Sequence, residues 1–219
     1  MGQAKQRGSR EERISQAAIR DKAPRAGIEP KQSYYTMADW MTANQRVGTL
    51  FKNLTTPASI DGNVLQFAKL VGDSEPVLLK CEPEPWSKQG CCDMNVEKYI
   101  ETHGGEMLSG YRVWYNKPDY IEGERHAVWT DGSVIRDVSF CDTGEKTIVF
   151  LPDDRGFNDA PGKIRHTFVR SRQDALAKFH EIDQAMIEHS TPEQAWAVMP
   201  SYEQWQAGAR SQNMFLGLR

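Results

Sequence analysis

Apolar residues recur at helical spacing in several parts of this chain. One example is residues 63–71, where apolar side chains lie three or four positions apart, as on one face of an α-helix. These side chains are Val64, Phe67, Ala68 and Val71. The same spacing occurs in residues 34–51, residues 92–103, residues 171–187 and the segment that begins at Thr191. The pattern predicts helices in the first part, the middle and the last part of the chain.

Other segments are short and apolar, or alternate between apolar and polar residues, as β-strands do. Residues 120–129 alternate most regularly, so successive side chains there point to opposite faces. Further predicted strands are residues 76–81, 107–114, 134–139 and 147–151. Together the two patterns predict an α+β fold. We expect an antiparallel β-sheet with a central helix packed on it, and flanking N- and C-terminal helices.

Composition and the predicted helices and strands together divide the chain into three regions. Residues 1–30 are interpreted as a basic N-terminal arm and linker, because Pro and Gly are frequent at residues 24–30. Residues 31–170 are the predicted α+β core. Residues 171–219 are the predicted C-terminal helical region.

The N-terminal arm differs from the rest of the chain in charge. Residues 1–25 contain seven basic and three acidic residues. Ser9 followed by Glu12 is a capping-box pattern, which predicts a short helix there. Two interpretations stay open at this point: a solvated terminus, or an arm that contacts nucleic acid or another anionic partner.

Composition excludes some classes of protein for the chain as a whole. The 219 residues carry a net charge of -3, with 26% charged and 39% hydrophobic residues, which is typical of a globular domain rather than a nucleic-acid-binding one. No apolar run approaches the ~20 residues that span a bilayer. No apolar signal segment begins the chain, so we expect a cytoplasmic protein without a disulfide framework.

The central helix places two cysteines at its N-terminal end. Gly104 and Gly105 mark its C-terminal end, so Cys91 and Cys92 lie at or just inside its first turn. Free N–H groups at a helix N-terminus favour negative charge and therefore the nucleophilic thiolate. Cys92 belongs to the apolar stripe of the helix, and we expect it, rather than Cys91, to be the nucleophile. Gln89 is the candidate side-chain donor to an oxyanion.

A predicted hairpin supplies the other candidate groups. The Asp-Gly dipeptide at 131–132 separates two β-like runs, which predicts a two-residue turn. Such a turn pairs Thr130 with Ser133 and, farther along the strands, His126 with Asp137. Directly opposite residues share one face, with Cβ atoms ~4.5–5.5 Å apart. The Asp137 carboxylate is therefore expected to orient the His126 ring and to stabilise its charged form.

This order of groups resembles that of the papain-like and transglutaminase-like thiol enzymes, in which a helix N-terminus presents the cysteine and adjacent antiparallel strands present histidine and aspartate. The segments that carry the resemblance are Gly90-Cys91-Cys92, residues 125–129 and residues 132–137. Asp93 follows Cys92 where those families have tryptophan after the nucleophile. The resemblance implies a nucleophile at Cys92, a base at His126 and its orienting group at Asp137. It also implies a hydrolase or acyl transferase that acts on an amide, isopeptide or thioester of a protein or peptide substrate.

Other interpretations of the same residues remain open. Cys92 alone is also typical of a small buried apolar residue, and a histidine–aspartate pair can serve only the sheet. The four cysteines, with His103 and His126, are candidate zinc ligands, although no Cys-x-x-Cys pair occurs. The alternative function is a non-catalytic binding protein that displays the basic arm and the C-terminal helices. The thiol mechanism itself uses no cofactor and no metal.

Overall fold

The computed structural model describes three stretches of the chain, residues 34–72, 74–186 and 191–211. All of the described helices and strands belong to one compact unit, which begins at Tyr35. The short helix that the sequence predicts on the basic arm, within residues 1–25, lies outside the described residues.

Helices lie on both sides of the central part of the chain, as predicted. They are α1 (Met37–Val47), α2 (Gly62–Val71), α3 (Cys92–His103), α4 (Gln173–Met186, preceded by a 3-10 turn at Arg170–Arg172), α5 (Pro192–Val198) and α6 (Tyr202–Gln206). Thr36, Thr191 and Ser201 each begin a helix with a capping box, in which the cap side chain and the third helical residue exchange hydrogen bonds. None of the described helices has the length and apolar character that crossing a membrane requires.

The strands form one antiparallel sheet. They are β1 (Val77–Lys80), β2 (Glu106–Asn116), β3 (Tyr120–Thr130), β4 (Ile135–Arg136), β5 (Thr147–Pro152) and β6 (Lys163–Thr167). The hydrogen-bonded order is β1-β5-β2-β3-β4, and β6 pairs with the first half of β3. Helices and an antiparallel sheet in one chain confirm the predicted α+β fold.

The two edges of this sheet meet at one end. Cys81, the residue after β1, forms a parallel bridge with Asp137, the residue after β4. In the same contact the N–H of Glu82 donates a 2.8 Å hydrogen bond to the Asp137 carbonyl. Because β1 and β4 lie at opposite ends of the strand order, this contact joins the two edges and gives the sheet an enclosed inner face.

Side chains on this inner face are buried in one cluster with Val128 of β3. Members of the cluster include Trp114, Cys141, Ile148 and Phe150. Side chains alternate along a strand, so His126, two residues before Val128, also lies on the inner face. The other face of β3, at Ala127, packs against α3.

The loop between β3 and β4 is longer than the sequence predicts. Thr130 pairs with Ile135, so residues 131–134 form a four-residue loop. The Asp131 carboxylate accepts hydrogen bonds from two backbone N–H groups within the loop, and Gly132 has a φ of 92° that favours glycine. The side chain of Asp131 thus stabilises an Asx-type loop in place of a two-residue turn.

The longer loop corrects the predicted register. The two-residue turn and the pairing of Thr130 with Ser133 are wrong, and so is the direct pairing of His126 with Asp137. The register moves by two residues, an even number, which leaves the inward and outward directions of the side chains unchanged. His126 and Asp137 therefore still share the inner face.

Two strands differ from the sequence prediction for identifiable reasons. Predicted strand 134–139 is reduced to Ile135–Arg136, because the chain then leaves β3 for the bridge to Cys81. Strand β6 is absent from the sequence prediction, since its residues alternate poorly in polarity. Its charged side chains instead lie opposite charged side chains of β3, as Lys163 lies opposite Glu124.

Gly110 of β2 lies opposite His126 and allows close packing there. A Cβ atom at Gly110 would lie 2.3 Å from the Leu151 carbonyl oxygen and 2.5 Å from Cζ of Phe150. We predict that Gly110→Ala lowers the free energy of unfolding by about 1–3 kcal/mol, because the backbone of β5 has to move away. Urea unfolding followed by circular dichroism measures this loss.

A matched control is Gly62→Ala in the first turn of α2. No atom lies within 4 Å of a Cβ built at Gly62, so we expect no loss, or a gain of up to about 1 kcal/mol. Equal losses at Gly62 and Gly110 would contradict the packing argument.

Candidate active site

His126 and Asp137 lie side by side on the buried inner face. The Nε2 atom of His126 is 3.2 Å from Oδ2 of Asp137, and the two residues are only 2% and 1% exposed. These atoms are within ion-pair distance, although they are not aligned as a regular hydrogen bond. The predicted contact between the two side chains is confirmed, but by a different register from the predicted one.

The Asp137 carboxylate is fixed from a second side. Its Oδ1 atom accepts a 2.9 Å hydrogen bond from the N–H of Ser139, which leaves Oδ2 for His126. The backbone of Asp137 is held as well, through the bridge to Cys81. The carboxylate therefore has one orientation, and this orientation directs a negative charge at one ring nitrogen of His126.

The surroundings of His126 favour its protonated form. Burial by itself lowers the pKa of this imidazole, but the negative charge of Asp137 opposes burial, and so does the nearby Cys92 side chain. The close polar approach of both side chains to the ring acts in the same direction, and the net effect raises the pKa of His126 to about 10. His126 is consequently an imidazolium at neutral pH, paired with a buried carboxylate.

Cys92 is the first residue of α3, which packs on the other face of β3, and its thiol nevertheless lies within hydrogen-bonding range of His126. Its side chain is 9% exposed and packs with Val96, Ala127 and Val138 between the helix and the sheet. The thiol is close enough to His126 to influence the imidazole through both a hydrogen bond and its charge. Cys92 also lies at the positive end of the helix dipole, where backbone N–H groups of the first turn have no partner within the helix.

Cys91, the neighbouring cysteine, has different surroundings. It is the N-cap residue of α3, and its thiol donates a 3.5 Å hydrogen bond to the Gln89 carbonyl. Burial, with smaller contributions from Asp93 and Cys92, raises the pKa of Cys91 to about 11. Cys91 therefore remains a neutral thiol at neutral pH, whereas Cys92 faces a positive imidazolium.

Gln89 lies in the loop that leads into α3 and is 6% exposed. Its backbone N–H donates a 3.1 Å hydrogen bond to the carbonyl of Pro200, just before α6. The buried Oε1 atom of its side chain has no hydrogen-bond partner among the described residues. Within the described residues, the buried amide of Gln89 therefore has an acceptor oxygen that no donor reaches.

Asn95, which sequence reasoning missed, connects the three parts of the site. Its side chain exchanges hydrogen bonds of 2.7 and 2.9 Å with the backbone of Lys88, and it donates a 3.1 Å hydrogen bond to the Ser139 hydroxyl. Ser139 is the residue that fixes the Asp137 carboxylate. The structure buries this amide fully. The sequence does carry a signal for it, because Asn95 lies three residues after Cys92, on the apolar face of the predicted helix.

Arg125 is a second residue that sequence reasoning missed. It is 8% exposed and forms a 2.6 Å ion pair with Asp153 on the outer side of the sheet. Its guanidinium also donates hydrogen bonds to the carbonyls of Arg155, Gly156 and Phe157. These bonds hold the 153–157 loop in place, and Phe157 packs against the cluster that contains Cys92.

Metal-binding geometry does not occur in the described part of the chain. No group of three or more His, Cys, Asp or Glu side chains in residues 34–72, 74–186 and 191–211 is arranged to hold a metal ion. All four cysteines are free thiols. The cysteines that were candidate zinc ligands instead lie in two separate places, Cys91 and Cys92 at α3 and the other two inside the sheet.

No comparison with known proteins assigns a function to this chain. The chain matches no family model, no curated protein and no solved structure. A functional assignment therefore rests on the arrangement of its own residues.

Asn95 provides a test of how the site is held together. We predict that Asn95→Ala lowers the free energy of unfolding by about 2–3 kcal/mol, because it removes two hydrogen bonds to the backbone of Lys88 and one to the buried Ser139 hydroxyl. Chemical unfolding measures the loss. The control is Gln45→Ala on the exposed face of α1, where we expect a change within about 0.5 kcal/mol. A loss at Asn95 no larger than at Gln45 would refute the connecting role.

Proposed function

We propose that this protein is a cysteine-dependent hydrolase or acyl transferase whose nucleophile is Cys92, with His126 as acid and base and Asp137 as the group that orients His126. The observation that carries the proposal is a thiol at a helix N-terminus beside a buried histidine, whose Nε2 atom lies 3.2 Å from a buried carboxylate. The neighbouring Cys91 lacks the imidazolium.

In the first step, the Cys92 sulfur attacks the carbonyl carbon of an amide, isopeptide or thioester. The imidazolium of His126 stabilises the thiolate before attack and then gives its proton to the leaving nitrogen or sulfur. Asp137 keeps the ring in one orientation and compensates its positive charge throughout. The product of this step is a thioester between Cys92 and the acyl group.

Negative charge on the carbonyl oxygen during attack needs hydrogen-bond donors. The N–H of Cys92 belongs to the first turn of α3, whose N–H groups have no partner within the helix. The Gln89 amide lies two residues before Cys91, in a buried loop. We assign these two groups as donors to the oxyanion, which requires the NH2 end of the amide to turn towards the site.

The second step releases the acyl group. Neutral His126 takes a proton from water, or from the hydroxyl or amine of an acceptor, as that molecule attacks the thioester carbon. The Cys92 sulfur then leaves as a thiolate and restores the ion pair with His126. Water gives hydrolysis, and another nucleophile gives acyl transfer.

Aromatic residues next to Cys92 favour a substrate with an apolar group near the scissile bond. Trp86 and Phe157 are half-buried and pack against the cluster that contains Cys92. Nζ of Lys98 lies 4.7 Å from the centre of the Trp86 ring and keeps one side of that ring polar. Protein and peptide substrates can supply both an apolar side chain for these aromatic residues and a carbonyl group for the thiol.

Alkylation by iodoacetamide tests the proposal directly. At about pH 6, where ordinary thiols are protonated, we predict that Cys92 is labelled about tenfold or more faster than Cys91, because only Cys92 lies beside an imidazolium. Mass spectrometry of the wild type and of the Cys91→Ser and Cys92→Ser variants assigns the label. His126→Ala should remove the advantage of Cys92.

Two further results decide between this proposal and a binding protein. Incubation of the wild type with a peptide thioester should give an acyl adduct on Cys92 that is absent from Cys92→Ser. Slow and equal labelling of all four cysteines, with no adduct, would contradict the enzyme and favour the non-catalytic alternative.

A further inference from the structure

The other two cysteines, Cys81 and Cys141, belong to a second group of reactive side chains inside the sheet. Both pack in the inner cluster, where Cys141 is 1% exposed and Cys81 is half-buried. A hydrogen bond joins the two thiols, and it is the largest influence on the pKa of each. They are therefore a thiol pair rather than two isolated cysteines, although they are 60 positions apart in the chain.

Arg112 places a positive charge beside this pair of thiols. Its Nη1 atom lies 3.3 Å from the Cys141 sulfur, and its Nη2 atom lies 2.8 Å from the Glu124 carboxylate. The fork of the guanidinium thus contacts a thiol and a carboxylate at once, in a place shielded from water. A positive charge at this distance from sulfur stabilises the thiolate.

The pKa values of the two thiols are shifted in opposite directions. The hydrogen bond from Cys81 outweighs burial and, together with the charge of Arg112, lowers the pKa of Cys141. The same hydrogen bond, burial and the charge of Asp137 raise the pKa of Cys81. One member of the pair is thus suited to be an attacking thiolate, and the other a resolving thiol.

We propose that Cys81 and Cys141 are a redox pair, which a peroxide closes to a disulfide and a dithiol reductant opens. The Cys141 thiolate attacks one peroxide oxygen, forming an S–O bond as the O–O bond breaks, and the departing oxygen leaves as water after protonation. The Cys81 sulfur then attacks the sulfenic sulfur of Cys141. An S–S bond forms, the S–O bond breaks and a second water leaves with the Cys81 proton, so two thiols have reduced one peroxide.

The disulfide would act at the place where the sheet closes. Cys81 forms the bridge to Asp137, and Cys141 follows Asp137 by four residues. A covalent bond between them ties the end of β1 to the segment after β4. The proposal does not depend on the activity of Cys92, because a disulfide can form whether or not the chain is an enzyme.

Trypsin places the cysteines of the two groups in different peptides, which makes the test direct. Cys81 lies in peptide 81–88, Cys141 in peptide 137–146, and Cys91 with Cys92 in peptide 89–98. The full-length protein is treated with hydrogen peroxide, its remaining thiols are blocked, and non-reduced peptides are analysed by mass spectrometry. We expect peptide 81–88 linked to 137–146, and separation of the two after dithiothreitol.

Variants identify the roles of the residues. In Cys81→Ser, Cys141 should accumulate as a sulfenic acid that dimedone traps, and Cys91→Ser should form the same disulfide as the wild type. Arg112→Lys keeps a charge for Glu124 but cannot contact both groups, so the linked peptide should form roughly tenfold more slowly.

The proposal is overturned if the folded wild type gives no link between peptides 81–88 and 137–146, or if peroxide links peptide 89–98 instead. Circular dichroism before and after oxidation establishes that the protein remains folded during the measurement. An unchanged rate in folded Arg112→Lys would remove the role assigned to the guanidinium.

Discussion

The ion pair between His126 and Asp137 is the interaction on which the rest of the site depends. Two charges in a buried location have lost most of their hydration, and each is stable there only because the other is present. Since folding raises the pKa of His126 above its ordinary value near 6.5, the pair contributes full stability below that value. The contribution is lost as the pH rises through about 10. The same charge is the one that the proposed mechanism directs at the Cys92 sulfur.

Closure of the sheet is what brings these charges together. Asp137 comes after the last paired residue of β4, so the bridge to Cys81, and not a strand partner on β3, fixes its backbone. Asn95 then connects α3 to Ser139, so that the helix carrying the thiol and the segment carrying the carboxylate have a fixed relation. Ser87 adds a hydrogen bond to the Val138 carbonyl, at 2.5 Å. Each of these contacts joins parts of the chain that are distant in sequence.

Local patterns predict much of this arrangement, and long-range contacts account for the errors. The helix 92–103 follows from its apolar stripe and its terminal glycines, and the structure gives Cys92–His103. The contact of His126 with Asp137 follows from a period of two along the strands, which survives an even change of register. The predicted turn length is wrong because an Asp-Gly dipeptide also fits an Asx loop. The bridge to Cys81 has no local signal, since it depends on how the whole sheet curves.

The protonation state of His126 tests the central claim most directly. Long-range proton–nitrogen NMR of the imidazole, recorded from acidic to alkaline pH, reports whether one or both ring nitrogens carry hydrogen. We expect both nitrogens to be protonated at neutral pH, with the transition to the neutral ring near pH 10, and the transition to move towards ordinary values in Asp137→Asn. A neutral ring with one protonated nitrogen at pH 7 in the wild type would contradict the account.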